Sequence, residues 1–298
     1  MDDLRDKPTV AATTILLRAA QTGAGTEALL LRRPGNMRAF NDVWVFPGGK
    51  VDQADNSEAA ADCIADPIRQ RYGAHARTLR IAACRELFEE VGVLLARSHN
   101  AEWVDQPQIE KLLSRRLEFM ADPMQFYRAI ADASLTLAID TLVPWSRWIT
   151  PPVIKKRFDT AFFAVIVSRD NSVQLYAGEV TETCWLELAS ISEQIVARGM
   201  RLAPPTTITL LDLQKSQSTH ANCASMLQAE QCRTIEAIQP KLIRVDGEPW
   251  AVFPWDSEYA GIDPAPVLSP FVISEYLRGL PGRLLAALPP RGDNQQLC

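Results

Sequence analysis

The sequence contains no long hydrophobic run. Its longest uninterrupted apolar stretch, Ala161 to Val167, has seven residues, whereas a membrane-spanning helix needs roughly 20. The first residues are acidic and lead into no apolar segment, so neither a secretory nor a mitochondrial leader is expected. The six cysteines include no CxxC pair, and the three histidines lack zinc-like spacing. These absences predict a cytoplasmic protein with no disulfide framework and no zinc site.

The chain also lacks an excess of basic residues, because its 31 Lys and Arg are outnumbered by 36 Asp and Glu. A protein that coats nucleic acid needs the opposite balance, so we expect neither a nucleic-acid nor a membrane partner. Local basic clusters can still clamp the phosphates of a small molecule. Two such clusters are present, namely Arg32, Arg33 and Arg38, and Lys155, Lys156 and Arg157. Ordinary surface charge is an equal alternative for any one of them.

No internal repeat and no low-complexity linker divides the 298 residues. Strand-like and helical patterns alternate along the chain, which favours one mixed α/β domain with helical insertions over two independent domains. The predicted strands lie at 9–17, 28–32, 43–46, 158–167 and 184–188, with a hairpin turning at Asp246-Gly247. The predicted helices lie at 78–91, 106–126 with a break at Asp122-Pro123, before Gly199, from Pro204, at 223–238, and after Ser269-Pro270.

Three glutamates crowd one face of the helix predicted over 78–91. Glu86, Glu89 and Glu90 stand at i, i+3 and i+4, while the apolar residues form a separate stripe. Mutual repulsion destabilises such a cluster, and a hard divalent cation such as Mg²⁺ or Mn²⁺ relieves it by accepting oxygen ligands. Arg85 lies four residues before Glu89, within reach of its carboxylate. The alternative is a solvated acidic helix face without a ligand.

The context of the glutamates resembles the Nudix box, G-x5-E-x7-R-E-U-x-E-E-x-G-U with U aliphatic. Residues 85–93, Arg-Glu-Leu-Phe-Glu-Glu-Val-Gly-Val, match every specified position of its second half, and Pro47-Gly48-Gly49 precedes them. The first half departs from the pattern. Counted from Gly49, the expected Glu is Asp55, and the Arg-Glu pair arrives about 22 residues late. The inserted segment between Asp55 and Thr78 carries a partly apolar helical face that is expected to cover the pocket entrance or to pack against the C-terminal extension.

Further segments resemble acyl-coenzyme A diphosphatases of the peroxisomal type and their bacterial relatives. They are residues 29–33, 46–55, 148–151, 157–163 and 204–206. This resemblance implies an α/β (α+β) Nudix fold, a mixed β-sheet sandwiched between helices. It implies a Nudix domain over 8–215, with insertions at about 56–78 and 95–145. A C-terminal extension over 216–288 would pack on the same domain, and 289–298 would form a loose tail.

The resemblance also implies the roles of the site residues. Glu86, Glu89 and Glu90, with the backbone carbonyl of Gly49, would bind Mg²⁺ or Mn²⁺, and Glu86 could double as the general base. Arg85 would brace the glutamates, and Glu182, three residues before Trp185, would supply a further catalytic carboxylate in competition with Glu179. Arg32, Arg33, Arg38 and Arg157 would bind the phosphates of the substrate.

The implied reaction is hydrolysis of a diphosphate linkage, with coenzyme A or an acyl derivative as the first substrate expectation. The alternatives are another nucleoside diphosphate derivative, such as a nucleotide sugar, a dinucleotide or ADP-ribose, and a Nudix-like sensor that holds a nucleotide without cleaving it. A sensor should have lost part of the glutamate cluster, whereas this helix retains it whole. The sequence leaves a homodimer open.

Overall fold

The computed structural model describes residues 7–21, 25–33, 43–152, 154, 156–176, 178, 180–245, 248–256 and 259–261. Arg38, Glu179, the Asp246-Gly247 turn and the predicted tail lie outside these residues. The strands within them are β1 Thr9–Ala19, β2 Thr26–Arg32, β3 Trp44–Val45, β4 Gly48–Lys50, β5 Ala96–Arg97, β6 Thr136–Leu137, β7 Val143–Ile149, β8 Phe158–Ile166, β9 Glu182–Glu187, β10 Ala237–Ile238, β11 Lys241–Val245 and β12 Glu248–Val252. The helices are α1 Glu58–Asp62, α2 Asp66–Arg71, α3 Ala74–Val91, α4 Gln106–Leu113, α5 Arg116–Ala121, α6 Pro123–Asp132, α7 Ile191–Ala197, α8 Pro204–Gln217 and α9 Cys223–Glu230.

A mixed sheet centred on β1 organises the domain. Its order is β10-β7-β8-β1-β2-β3, with β4 paired to β1 and β9 paired to β2. Strand β1 runs parallel to β8 but antiparallel to both β2 and β4. Strand β2 pairs with the C-terminal end of β1, at Leu17–Ala19, and β4 with its N-terminal part, at Ala11–Thr13. The glycine turn is therefore held against the middle of the sheet, where α3 crosses.

Side chains alternate between the two faces of the sheet and build two separate cores. One core lies under α3 and includes Leu16, Leu29, Leu31, Val165, Ile81, Cys84, Leu87 and Phe88. The other lies under α7 and α8 and includes Ile15, Leu17, Leu30, Ala164, Ile191, Ile195, Ile208 and Leu211. The sheet is thus sandwiched between helices, as the sequence predicted.

Helix α3 follows from its apolar spacing and its C-terminal glycine. Ile81, Cys84 and Phe88 are at most 2% exposed and belong to the core between α3 and the sheet. Gly92 ends the helix in the left-handed conformation, at φ 73°, and its N–H donates to the Phe88 carbonyl. The helix begins at Ala74, one turn before the predicted start at Thr78, because residues 74–77 continue the helical backbone without an interrupting residue.

Both segments expected to be insertions contain helices, with boundaries that the periodicity did not resolve. The helix predicted over 106–126 is three helices, α4 to α6, since the chain also breaks at Ser114 and Arg115. The helix predicted over 223–238 ends at Glu230, and Ala237–Ile238 pairs with β7 as a strand instead. Strands β11 and β12 pair as the predicted hairpin. Among the described helices, none is long and apolar enough to cross a membrane.

Candidate active site

The glycine turn is held between β1 and the end of α3. The Thr14 N–H donates to the Pro47 carbonyl at 2.8 Å, and the Gly48 N–H donates to Glu90 Oε2 at 2.7 Å. Gly48 has φ 154°, and a Cβ there would lie 2.6 Å from the Thr13 Cα. Only glycine fits this approach, which brings the backbone of the turn to the glutamates.

Gly49 has no room for a side chain either. A Cβ on Gly49 would collide with the carboxylate of Glu86. The Glu86 carboxylate therefore packs directly against the backbone of the turn. This places the backbone of Gly49 and the first glutamate of the cluster side by side.

Arg85 contacts two of the three glutamates. It is 3% exposed, and its Nη1 lies 3.0 Å from Glu86 Oε1 and 2.9 Å from Glu89 Oε2. Its Nη2 donates to the Lys50 carbonyl at 3.0 Å. Burial lowers the pKa of Arg85, but hydrogen bonding to Asp55 and the charges of Glu86 and Asp55 raise it overall. The guanidinium thus remains charged and fixes two of the three carboxylates.

Asp55 completes the support of Arg85 despite being one methylene shorter than the Glu of the Nudix pattern. Arg85 donates to it twice, from Nε to Oδ1 at 2.8 Å and from Nη2 to Oδ2 at 3.0 Å. The Asp52 N–H donates to Oδ2 at 2.7 Å, and the Tyr127 hydroxyl donates to Oδ1. Four donors therefore surround a carboxylate that is 1% exposed, which is the full capacity of its two oxygens.

Glu89 has a buried carboxylate oxygen without a hydrogen-bond partner. The residue is 5% exposed, and the unpartnered oxygen is Oε1. Burial, reinforced by the nearby charge of Glu86 and opposed by Arg85, raises the pKa of Glu89 to about 7. A buried carboxylate oxygen without a donor is unfavourable unless a cation satisfies it.

These residues have the donor chemistry for a hard divalent cation, which prefers carboxylate and carbonyl oxygens. In the described part of the chain, no three His, Cys, Asp or Glu side chains already surround a common metal position. The buried, unpartnered oxygen of Glu89 is the observation that fits such an ion. The residues present are therefore suited to Mg²⁺ or Mn²⁺.

Glu182 lies on the other face of the sheet. It begins β9 opposite Arg32, and the two side chains pair at 3.1 Å, both about half exposed. Their strand neighbours Leu30 and Leu186 belong to the core under α7 and α8, so alternation puts Arg32 and Glu182 on that face. The structure does not bring Glu182 to the α3 glutamates, and its catalytic role stays a prediction.

The Arg32–Glu182 pair borders a cavity of about 370 Å³. The remaining lining residues are Trp44, Arg198, Gly199, Met200 and Arg201. Arg198 and Arg201 were missed in the sequence because they form no basic run with their neighbours. The described part of the chain thus brings three guanidinium groups around one cavity.

The other two basic residues predicted to bind phosphate lie apart from this cavity. Arg33 follows β2, and its N–H donates to the Val43 carbonyl at 3.1 Å. Arg157 precedes β8, and its Nε donates to the Thr150 carbonyl at 3.0 Å. Strands β2 and β8 flank β1, so Arg32 and Arg157 stand on opposite sides of β1, the strand with which β4 and the glycine turn pair.

Comparisons with known proteins agree with this fold. The family model of the NUDT19 Nudix domain matches residues 74–213. The human acyl-coenzyme A diphosphatase NUDT19 is 34% identical over 219 residues, covering 61% of this chain and 58% of the relative. Its Xenopus laevis counterpart is 28% identical over 218 residues, covering 60% and 57%. The aligned region thus spans less than two thirds of these relatives.

A solved structure supports the architecture independently. The NUDIX hydrolase from Alicyclobacillus acidocaldarius superposes with a TM-score of 0.58 at 22% identity, covering 74% of this chain and 96% of that structure. The fold is that of this Nudix hydrolase, and the residues that match the family model include the glutamates of α3. The chain resembles the branch of the acyl-coenzyme A diphosphatases named NUDT19.

Proposed function

We propose that the protein is a metal-dependent hydrolase of a diphosphate linkage. The observation that carries this proposal is the arrangement of Glu86, Glu89 and Glu90 on α3 against the Gly48-Gly49 turn, with the buried Oε1 of Glu89 left unpartnered. A sensor that only holds a nucleotide has no need of three carboxylates kept in so dense a cluster. The retained cluster therefore favours hydrolysis over binding alone.

The three glutamates and the Gly49 carbonyl would hold Mg²⁺ or Mn²⁺. When bound, such an ion neutralises the diphosphate and lowers the pKa of a coordinated water. The chain's own contribution is to fix the carboxylates. Arg85 holds Glu86 and Glu89, the Gly48 N–H holds Glu90, and the burial of Glu89 limits access of bulk water. We propose Glu86, in contact with the turn, as the general base.

Coenzyme A or an acyl-coenzyme A is the substrate that we propose. Water would add across the P–O–P linkage, so that one P–O bond forms and one breaks, giving adenosine 3′,5′-bisphosphate and (acyl-)phosphopantetheine. The names of the similar relatives support this choice. A nucleotide sugar, a dinucleotide or ADP-ribose is the alternative.

A substrate panel read by mass spectrometry tests the proposal. The full chain is incubated with coenzyme A, acyl-coenzyme A, a nucleotide sugar, a dinucleotide and ADP-ribose, with Mg²⁺ and with EDTA. We expect the two coenzyme A product masses with Mg²⁺ and no product with EDTA. Faster cleavage of another panel member would make that compound the substrate in place of coenzyme A. Nucleotide binding without any product would support the nucleotide sensor. A cytoplasmic location and a homodimer stay predictions of the sequence.

A further inference from the structure

Tyr127 reaches the glutamate helix from a helical insertion. It lies on α6, between β4 and β7 in chain order, and its side chain is fully buried. The ring of the preceding residue, Phe126, lies 5.6 Å from Phe88 of α3 between ring centroids, and the Tyr127 ring packs edge-on against Phe126 at 5.4 Å. Aromatic packing thus seats α6 on α3, and it leaves the Tyr127 hydroxyl pointing at Asp55.

A chain of hydrogen bonds runs from this hydroxyl to the glutamates. The Tyr127 hydroxyl donates to Asp55 Oδ1, and Asp55 accepts two hydrogen bonds from Arg85. Arg85 in turn contacts both Glu86 and Glu89. Every member except Glu86 is buried to 5% exposure or less, so water does not substitute for a missing donor. The pKa of Tyr127 is raised by burial and by the charge of Asp55, which keeps the hydroxyl protonated as a donor.

We infer that Tyr127 is a positioning residue for the glutamate cluster, acting through Asp55 and Arg85. The inference rests on the proposed function, in which Glu86 and Glu89 hold the cation. Asp55 has one bond fewer than a glutamate to reach Arg85, so its placement depends more strongly on its other donors. The Tyr127 hydroxyl is the donor that an inserted helix supplies, and the insertion thereby becomes part of the catalytic scaffold.

The rival interpretation is that Tyr127 only fills space under α6. Tyr127→Phe separates the two, because it removes the hydroxyl and keeps the ring. Tyr259→Phe is the matched control, since the Tyr259 hydroxyl also donates one hydrogen bond, to the Gln239 carbonyl at 2.7 Å, without any link to Asp55. Asp55→Asn, alone and combined with Tyr127→Phe, tests whether the effect passes through Asp55.

The experiment measures Mn²⁺ affinity by electron paramagnetic resonance, kcat and KM for coenzyme A, and melting temperature, all on the full chain. Removing an outer partner of a metal ligand typically weakens metal affinity or activity by 10- to 100-fold. We expect Tyr127→Phe to weaken Mn²⁺ binding about tenfold and to lower kcat more than it changes KM. Tyr259→Phe should change neither, and Tyr127→Phe should add nothing in the Asp55→Asn background.

Two results would overturn the inference. One is a Tyr127→Phe protein with a lower melting temperature but unchanged Mn²⁺ affinity and kcat. The other is a full Tyr127→Phe effect in the Asp55→Asn background. Failure of the proposed function looks different. A wild-type protein that binds Mn²⁺ but cleaves nothing refutes the hydrolase, while the Mn²⁺ affinities still decide the role of Tyr127. A wild-type protein that binds no Mn²⁺ refutes both.

Discussion

At the scale of single residues, the site depends on where a side chain is missing as much as on where one is present. Gly48 and Gly49 let the turn approach β1 and the Glu86 carboxylate more closely than any other residue would. At Asp55 the side chain is shorter than the glutamate of the Nudix pattern, and the surrounding residues supply it with four hydrogen-bond donors. The residue pattern predicted the glutamates and Arg85, but it could not predict Tyr127, which no sequence spacing relates to Asp55.

Gly49→Ala should reduce turnover sharply. Its Cβ would occupy the space of the Glu86 carboxylate, so Glu86 must move away from the backbone carbonyl of the turn. We expect kcat to fall by at least about tenfold, the size of losses from displaced groups around metal ligands. Gly73→Ala is the control, because a Cβ at Gly73 meets nothing within 4 Å. Equal kcat values for both variants would contradict the placement of Glu86.

Arg32→Ala should reduce the preference for coenzyme A over 3′-dephospho-coenzyme A without unfolding the protein. Its pair with Glu182 is half exposed, and such pairs add only about 0–1 kcal/mol to stability. If Arg32 contacts the 3′-phosphate, its loss should shrink the preference for coenzyme A over 3′-dephospho-coenzyme A by about 1.5–3 kcal/mol. The measurement is the ratio of the two kcat/KM values, with the exposed Arg115→Ala as control. An unchanged ratio of the two kcat/KM values would show that Arg32 does not contact the 3′-phosphate.

At the scale of elements, helix α3 and the strands around it could be predicted because local patterns specify them. The apolar stripe and the closing Gly92 predicted helix α3, and the β-branched run predicted strand β1. The boundaries of α4 to α6 could not be predicted, since apolar residues of all three helices join the core under α3 and the pattern continues across the breaks between them. The segment after Asp55 was expected at the pocket entrance or against the C-terminal extension, whereas its Ile64 lies in the core under α3 at 4% exposure.

Ile64→Ala should therefore destabilise the fold without changing substrate choice. Replacing a buried isoleucine by alanine typically lowers the free energy of unfolding by about 2–5 kcal/mol. Chemical denaturation measures this loss, and kcat/KM for free and long-chain acyl-coenzyme A measures specificity. Ile68→Ala is the control, because Ile68 is only partly buried against the same core. It should lower the free energy of unfolding less than Ile64→Ala does. A selective rise in KM for the long-chain substrate would instead place this segment at the pocket entrance.

At the scale of the whole molecule, the two faces of the sheet separate two sets of charges. The glutamates lie on the α3 face, and the cavity with Arg32, Arg198 and Arg201 lies on the other. The family resemblance implied the sandwich, but the sequence could not assign charges to the two faces of the sheet. That assignment depends on the register of β2 against β9, which is a long-range pairing.

The central claim is that the α3 glutamates hold a cation for diphosphate hydrolysis, and two amide substitutions test it most directly. Glu89→Gln and Glu90→Gln keep the shape of the side chains and remove their charge. We expect each to lose more than about 100-fold in kcat for coenzyme A at saturating Mg²⁺, since direct ligands should matter at least as much as their outer partners. The melting temperature should stay near wild type, as it should for the exposed control Glu118→Gln. Near-wild-type turnover in both variants would contradict the account.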